Sequence, residues 1–88
     1  MEVRYEASFE KDLKSVGDKN LLKKIKKVIE EVKQADDSYS INNLKKLSGY
    51  DTFYRIRIGD YRIGIEITGD KLIFTRFLHR KEIYRFFP

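Results

Sequence analysis

Apolar residues recur at two different spacings along this chain, and the change of spacing divides it into helices and strands. Between Lys19 and Gln34, lysines and glutamates alternate with an apolar stripe formed by Leu21, Leu22, Ile25, Val28, Ile29 and Val32. This is the spacing of one face of an amphipathic α-helix. We therefore predict a helix over Lys19 to Gln34, with Asp18 as its N-cap.

The N-terminal segment predicts a strand followed by a shorter helix. Val3 and Tyr5 alternate with charged neighbours within Met1 to Ala7, as in a half-buried strand. Ser8 is the expected N-cap of the next helix, and Gly17 is its expected end. That helix would present three apolar residues on one face: Phe9, Leu13 and Val16. Because so short a turn separates the two helices, they should form a hairpin that lies across a sheet.

Three strands are predicted after a long connection over residues 35–51. They are Phe53 to Ile58, Tyr61 to Thr68 and Lys71 to Leu78. The pairs Gly59-Asp60 and Gly69-Asp70 should join them as tight hairpin turns, since glycine readily supplies positive φ. The tail after His79 is expected to form a helical turn that its aromatic residues dock onto the domain. The predicted fold is therefore α+β: a single domain over residues 1–88 in the order β-α-α-β-β-β, with a helix hairpin on one face of a mostly antiparallel twisted sheet and a short helical tail.

Strict alternation along these strands assigns each side chain to a face of the sheet. The apolar face, which the helix hairpin would cover, carries Tyr54, Ile56, Ile58, Tyr61, Ile63, Ile65, Ile67, Leu72, Phe74 and Leu78. The opposite face, called the basic face below, would carry Phe53, Arg55, Arg57, Arg62, Gly64, Glu66, Ile73, Thr75, Phe77 and His79. We expect the basic face to be polar and concave.

The predicted hairpin around Gly59 also sets a register in which like charges meet. If Ile58 pairs with Tyr61, Arg57 lies directly opposite Arg62. Facing arginines cost stability, and a sequence that breaks a local rule in this way usually does so at a functional site. A bound polyanion would compensate for the repulsion.

Composition narrows the classes of function. The chain has 88 residues, a formal charge of +5, no cysteine and one histidine. No disulfide, thiolate metal site or multi-histidine metal site is therefore expected, and no cofactor is implied. There is neither an apolar run of about 20 residues nor an apolar stretch at the N-terminus. The sequence predicts an intracellular, cytoplasmic protein without a membrane span, and basic charge interleaved with aromatics favours nucleic acid or an acidic protein as partner.

Candidate chemistry lies in the basic residues of the second half. Five side chains could bind a phosphate: Arg55, Arg57, Arg62, His79 and Arg80. Three aromatic rings could stack on bases: Tyr50, Phe77 and Tyr84. The alternative is that the arginines are solvated and Tyr84 anchors the tail. Lys45 and Lys46 belong to a loop and could attract phosphate without regard to sequence.

Two residues could transfer protons in such a site. Histidine titrates near neutral pH, so His79 suits general acid or base catalysis, although a lone histidine at a strand end is often incidental. Glu66 could act as a base or as a counter-ion to the arginines. Without a metal, RNA cleavage would require activation of the 2′-hydroxyl, cationic stabilisation of the pentacoordinate phosphate and protonation of the leaving 5′-oxygen.

Four segments, taken in order and spacing, resemble the RelE/ParE superfamily of toxins from type II toxin-antitoxin pairs. They are Leu44-Lys45-Lys46-Leu47-Ser48-Gly49, Tyr54-Arg55-Ile56-Arg57, Tyr61-Arg62-Ile63 and His79-Arg80-Lys81-Glu82-Ile83-Tyr84. In this superfamily the RelE-like branch cuts mRNA in the ribosomal A site, and the ParE-like branch poisons DNA gyrase. The presence of Tyr84 after Arg80, together with the arginines of the meander, favours the RelE-like mRNA interferase branch.

The resemblance implies roles for individual residues. Arg62 would contact the scissile phosphate, Arg80 would stabilise the transition state or serve the leaving group, and Tyr84 would stack on the mRNA base. Arg55 and Arg57 stand where RelE carries lysines, one of them proposed as general base. Because arginine stays protonated, Arg57 can stabilise charge but not readily accept a proton, so the base role would pass to His79 or Glu66.

The resemblance also implies partners. A cognate antitoxin would cover or distort the basic face, and operator DNA would be bound only through that antitoxin. The leading hypothesis is a metal-independent, ribosome-dependent endoribonuclease that cleaves A-site mRNA and so inhibits translation. The alternatives are a gyrase poison without nuclease activity and an RNA-binding or decayed toxin homologue.

Overall fold

The computed structural model describes all 88 residues and contains five strands and three α-helices. In chain order they are β1 (Glu2–Tyr5), α1 (Ala7–Lys14), α2 (Lys19–Gln34), β2 (Leu44–Lys46), β3 (Phe53–Ile58), β4 (Tyr61–Thr68), β5 (Lys71–His79) and α3 (Ile83–Phe86). A 3₁₀ turn over Ser38–Ser40 lies between α2 and β2. None of the helices is long and apolar enough to cross a membrane.

The strands form one sheet in the order β1-β5-β4-β3-β2. Strands β2 to β5 are antiparallel to their neighbours, whereas β1 runs parallel to β5 at the opposite edge from β2. A parallel pair needs a crossover, because a tight turn cannot join strands that point the same way. The α+β class, the helix hairpin and the mostly antiparallel sheet are confirmed.

The helix hairpin confirms one predicted cap and corrects another. The Asp18 carboxylate accepts hydrogen bonds from the N–H groups of Asn20 and Leu21, at 2.9 and 3.1 Å, so it is the N-cap of α2. Ser8 is not a cap, since α1 already begins at Ala7. The Ser8 hydroxyl instead donates to the carbonyl of Thr75, at 2.6 Å, which ties α1 to the edge of β5.

Strand β2 was not predicted. Its three residues lie in the segment expected to be only a connection, and they pair with β3 so that Lys45 lies opposite Arg55. A strand this short shows too little alternation to be recognised from its sequence.

A bulge in β5 makes part of the face assignment wrong. Ile65 pairs with Phe74 but Gly64 pairs with Arg76, so Thr75 is an extra residue on β5. One added residue exchanges the faces of all side chains that follow it. Phe77 therefore joins the core under the helices, with 3% of its surface exposed and its ring stacked on Tyr61.

The two residues after Phe77 also lie on the opposite face of the sheet from the one predicted. Leu78, predicted on the apolar face, packs instead against a small cluster on the basic face. His79, predicted on the basic face, is paired with Tyr61 and lies edge-on to its ring, with 5.2 Å between ring centroids. The predictions that Phe77 and His79 lie on the basic face are thus wrong.

Two apolar clusters hold the elements together. The larger one packs Phe9 of α1 and Ile25 and Val32 of α2 onto the sheet. The smaller one, on the basic face, consists of Leu47, Ile83 and Phe87, with Phe53 and Leu78 against it. The basic face is therefore not an open polar surface, because the C-terminal tail covers part of it.

Candidate nucleic-acid interface

The hairpin joining β3 and β4 brings three arginines together at its tip. Ile58 pairs with Tyr61 and Arg57 with Arg62, which confirms the predicted register. Gly59 has a φ of +57°, as a two-residue hairpin turn demands of its first residue. Arg80 follows β5 beside the same turn, and its N–H donates to the carbonyl of Asp60 at 2.7 Å. We call Arg57, Arg62 and Arg80 the hairpin arginine cluster.

The cluster is held in place mainly by backbone groups. Nη1 of Arg62 donates to the carbonyls of Gly59 and Tyr61, both at 2.9 Å. Nε of Arg80 lies 3.8 Å from Oδ1 of Asp60, and both side chains are more than half exposed. Exposed ion pairs of this kind contribute little, about 0 to 1 kcal/mol. Arg57 and Arg62 make no ion pair, so their charges remain available to an anion.

A groove of about 510 Å³ lies on the same side of the sheet. We call it the tail groove; it is lined by Lys45, Lys46, Leu47, Ser48, Tyr50, Arg55, Tyr84, Phe87 and Pro88. Arg55 and Arg57 share one face of β3 two residues apart, so the groove begins about 7 Å from the hairpin arginine cluster. No acidic side chain lines the groove, whereas three basic side chains do.

The docking of the C-terminal tail against β4 forms one wall of this groove. Phe87, 4% exposed, lies directly on Gly64, where an added Cβ would come within 2.7 Å of the Phe87 ring. Phe53 packs edge-on against Phe87 and also against Tyr50, with ring centroids 5.5 and 5.6 Å apart. Tyr84 is 59% exposed and has no aromatic partner, so its ring is free to stack on a ligand.

An ion pair between Asp12 of α1 and Arg76 of β5 supports the C-terminal tail from outside the tail groove. The Asp12 carboxylate accepts from Nε and Nη2 of Arg76, at 2.8 and 3.1 Å, and from the N–H of Phe77, at 2.9 Å. The hydrogen bond from Arg76 to Asp12 raises the pKa of Arg76, against the smaller opposing effect of burial. The Arg76 guanidinium also lies over the Phe86 ring, 5.8 Å from its centroid. Asp12 thus links α1, β5 and the tail.

Neither of the two predicted proton-transfer residues lies beside Arg57 and Arg62 on the basic face. His79 lines a separate cavity of about 360 Å³ beside the turn between α1 and α2, and its Nδ1 accepts from the N–H of Lys81 at 3.1 Å. Glu66 is opposite Phe53, four residues along β4 from Arg62, or about 14 Å. No group of three or more His, Cys, Asp or Glu side chains comes together as a metal site would require.

The nine predicted site residues therefore separate into three sets. Four line the tail groove, Lys45, Lys46, Arg55 and Tyr84. Three form the hairpin arginine cluster, and two, Phe77 and His79, lie on the helix-covered side of the sheet. Sequence reasoning missed Phe87 and Pro88 as groove residues. The available signal was Gly64, a glycine inside an apolar strand, which often marks the close approach of another chain segment.

Comparison with known proteins agrees with this arrangement. Residues 3–84 match the family model described as ParE toxin of type II toxin-antitoxin system, parDE. The chain is 50% identical to Toxin RelE3 of Methanocaldococcus jannaschii, with full coverage of both. It is 37% identical to the Putative toxin RelE1 of the same organism, over 82% of this chain and 80% of that one.

A solved structure gives the same result. The crystal structure of the RelB-RelE antitoxin-toxin complex from Methanococcus jannaschii matches with a TM-score of 0.78 and 47% identity, over 97% of this chain and 99% of the matched chain. Sequence, fold and length thus agree in these relatives, and the family resemblance inferred from four short segments is confirmed over nearly the whole chain. This protein belongs to the RelE/ParE superfamily of toxins from type II toxin-antitoxin systems.

Proposed function

We propose that this protein is a metal-independent endoribonuclease that cleaves mRNA in the A site of the ribosome and so arrests translation. The observation that carries the proposal is the hairpin arginine cluster, in which Arg57 and Arg62 face each other without a carboxylate partner and Arg80 lies beside them. Like charges so close are costly unless an anion lies between them. A phosphodiester is the anion that also explains the neighbouring groove.

The groove suits the rest of a single RNA strand. Three cations line it for the backbone, and the exposed ring of Tyr84 can stack on a base. With the phosphate at the arginine cluster, the adjoining nucleotide would reach the groove over the distance of about 7 Å set by the strand spacing. The arrangement therefore favours unpaired RNA over duplex at this site.

The arginines would act mainly on the transition state. After attack by the 2′-hydroxyl, the phosphorane carries added negative charge, which fixed guanidinium groups stabilise more than the ground state. His79 lies on the side of the sheet away from Arg57 and Arg62, and Glu66 lies about 14 Å from Arg62 along β4, so neither is placed to remove the proton from that hydroxyl. Asp60 is the carboxylate that contacts the cluster, through Arg80, and we assign it the general-base role, with the ribosome holding the RNA in line for attack. Asp60 would take the proton of the 2′-hydroxyl, the 2′-oxygen would bond to phosphorus as the bond from phosphorus to the 5′-oxygen breaks, and the 5′-oxygen would leave with a proton from water, giving a 2′,3′-cyclic phosphate.

The same positive charge would serve a cognate antitoxin, as the archaeal RelB-RelE antitoxin-toxin complex suggests. An acidic antitoxin segment over the groove would block RNA and neutralise the cluster. We propose that operator DNA is bound only by the toxin-antitoxin pair, through the antitoxin, and that the toxin acts in the cytoplasm.

The first test is to induce the protein alone in growing bacteria and to map the 5′ ends of mRNA. We expect cuts within translated frames that disappear in Arg62→Ala and Arg80→Ala variants, with losses of orders of magnitude and little change in folding. Arg4→Ala, an exposed arginine on β1 far from the cluster, is the matched control and should leave the cuts unchanged. A collapse in the melting temperature of the two cluster variants would show that these arginines are structural.

A second candidate function follows from the family model, which is that of ParE toxins. A ParE-like gyrase poison would arrest growth with DNA damage and without new mRNA ends. Its effect would persist in Arg62→Ala if the gyrase interface lies elsewhere. Efficient cleavage of naked mRNA would contradict the ribosome-dependent mechanism, and the absence of any phenotype would favour a binding-only or decayed toxin.

A further inference from the structure

The loop between α2 and β2 presents one tyrosine almost entirely to solvent. Tyr39 is 97% exposed, the most of any large apolar or aromatic residue in the chain. It lies in the 3₁₀ turn over Ser38–Ser40, and its ring packs against no other aromatic ring. The ring therefore contributes nothing to the core of the domain.

The turn that carries Tyr39 is held in one shape. The Asp37 carboxylate accepts hydrogen bonds from the N–H and the hydroxyl of Ser40, both at 3.1 Å. The N–H of Ile41 donates to the carbonyl of Ser38 at 3.2 Å, which closes the turn. Because this backbone is already ordered, little conformational entropy is lost when a partner covers the ring. An exposed aromatic residue on a preorganised loop is a typical anchor of a protein interface.

The same loop is acidic in a protein whose net charge is +5. Asp36 and Asp37 are exposed, neither makes an ion pair, and no lysine or arginine occurs between Lys33 and Lys45. Both carboxylates directly follow the C-terminal end of α2, where the helix dipole disfavours negative charge. We call residues 36–40 the acidic loop. Its complement is a basic surface with room for an aromatic ring.

The tail groove of this same chain has that chemistry. Its three basic side chains, Lys45, Lys46 and Arg55, have no acidic residue beside them in the lining of the groove. Two further lining residues, Tyr50 and Tyr84, expose 48% and 59% of their surface. A tyrosine that entered the groove could pack edge-on or offset against these rings, while carboxylates next to it met the cations.

The acidic loop and the tail groove lie close together at one edge of the sheet. Strand β2 is the edge strand, and its Lys45 and Lys46 line the groove. Tyr39 is six residues before Lys45, which keeps the two within about 20 Å. The exposure of Tyr39 shows that the loop does not fill the groove of its own chain. Two copies related by a twofold axis along this edge would each place a loop in the groove of the other, which closes the assembly as a dimer.

We propose that two copies of this protein form a reciprocal dimer in which the acidic loop of each occupies the tail groove of the other, with Tyr39 as the anchor. The proposal deepens and rests on the proposed function, because a groove filled in this way has no room for the RNA strand. The dimer is thus an inactive form of the toxin, in which substrate RNA and the acidic loop compete for one site. The interface is small, so we expect a dimer Kd on the order of 10 to 100 μM.

Sedimentation velocity of the purified full-length protein, over concentrations on the order of 1 to 500 μM, would measure the association by mass action. We expect a shift from monomer to dimer as the concentration rises. Tyr39→Ala should raise the dimer Kd about tenfold or more, because each dimer loses two anchors. Leu22→Ala, which removes an exposed apolar side chain of α2, is the matched control and should leave the Kd unchanged. A monomer at every concentration, or an equal effect of the two substitutions, would overturn the proposal.

A charge swap tests which two surfaces meet. Asp36→Lys places a cation against the basic groove, and Lys46→Glu places a carboxylate against the acidic loop, so each variant alone should dimerise about tenfold more weakly or worse. In an equimolar mixture of the two variants, every contact between positions 36 and 46 pairs opposite charges, and the wild-type affinity should return. Asp70→Lys makes the same change in net charge in the turn between β4 and β5, and it should leave the Kd unchanged. A mixture that associates no more tightly than either variant alone would contradict the proposal.

Failure here is distinguishable from failure of the nuclease proposal. Sedimentation reads the dimer without any turnover, whereas the mRNA cuts are read from Arg62→Ala. A short unstructured RNA oligonucleotide should convert the wild-type dimer to monomer, and RNA that binds while the dimer stays intact would overturn the reciprocal arrangement. An absence of RNA binding would contradict the proposed function alone. Tyr39→Ala should keep its mRNA cuts, because Tyr39 does not line the groove of its own chain.

Discussion

The contact between Gly64 and Phe87 predicts a large effect from the addition of a single methyl group. In Gly64→Ala the new Cβ would lie 2.7 to 2.8 Å from three carbons at the base of the Phe87 ring, closer than real Cβ contacts come. These atoms are near the backbone, so the ring cannot simply rotate away. The tail must either remain docked under strain or leave the sheet.

Both responses cost a similar amount. Overpacking of a core contact usually costs about 1 to 3 kcal/mol. Exposing Phe87, now 4% exposed, would lose about 1.5 to 3 kcal/mol of burial. Replacing glycine by alanine in a strand otherwise favours folding by about 0.5 to 1 kcal/mol. We therefore expect Gly64→Ala to lower the free energy of unfolding by about 1 to 2 kcal/mol and to disrupt the tail groove.

Urea unfolding followed by circular dichroism would measure the loss. Gly17→Ala is the matched control, because nothing lies within 4 Å of the position that its new Cβ would take and its φ is not positive, and it should be neutral or slightly stabilising. In a Phe87→Ala background the ring is gone, so Gly64→Ala should no longer destabilise. Unchanged stability of Gly64→Ala alone, or an equal loss in both backgrounds, would show that the contact with Phe87 does not limit the size of residue 64.

Three further predictions concern the groove, the partly buried ion pair of Asp12 with Arg76, and the proton transfer. Tyr84→Ala should reduce mRNA cleavage far more than the melting temperature, because the ring is exposed, and Tyr84→Phe should retain activity if stacking alone matters. Asp12→Asn should lower the free energy of unfolding by about 2 kcal/mol in urea titrations, since it weakens three hydrogen bonds at a site where Asp12 is only 13% exposed. Asp60→Asn should lower the single-turnover cleavage rate on ribosomes with little change in the melting temperature, and an unchanged rate would exclude Asp60 as the base.

The strongly periodic parts of the chain were predictable from the sequence. The bounds of α2, its Asp18 cap, both glycine turns and the pairing of Arg57 with Arg62 all follow from local rules that this fold obeys. The part of the hairpin arginine cluster that Arg57 and Arg62 form was therefore predictable as well. Each of these features depends on residues close together in sequence, where spacing alone carries the information.

The remaining features depend on contacts between distant segments. The bulge at Thr75 lies where α1 meets the edge of β5, and there Ser8 and Asp12 form hydrogen bonds with backbone groups of that strand. The alternation of apolar and polar residues along β5 does not indicate it. His79 and Phe77 were misplaced for that reason. The tail groove was not predicted, because its wall depends on the packing of the Phe87 ring against Gly64, a residue of a different element.

The parallel pairing of β1 with β5 has a consequence for how the toxin is made. Glu2 pairs with Lys71, so the first strand closes a loop that spans most of the chain, and such long-range pairing forms slowly. Synthesis proceeds from the N-terminus, so β1 cannot pair until β5 has been made, and Tyr84 and Phe87 are made later still. The groove wall is therefore completed only after the rest of the sheet has been synthesised. A partly made copy of the chain therefore lacks the groove.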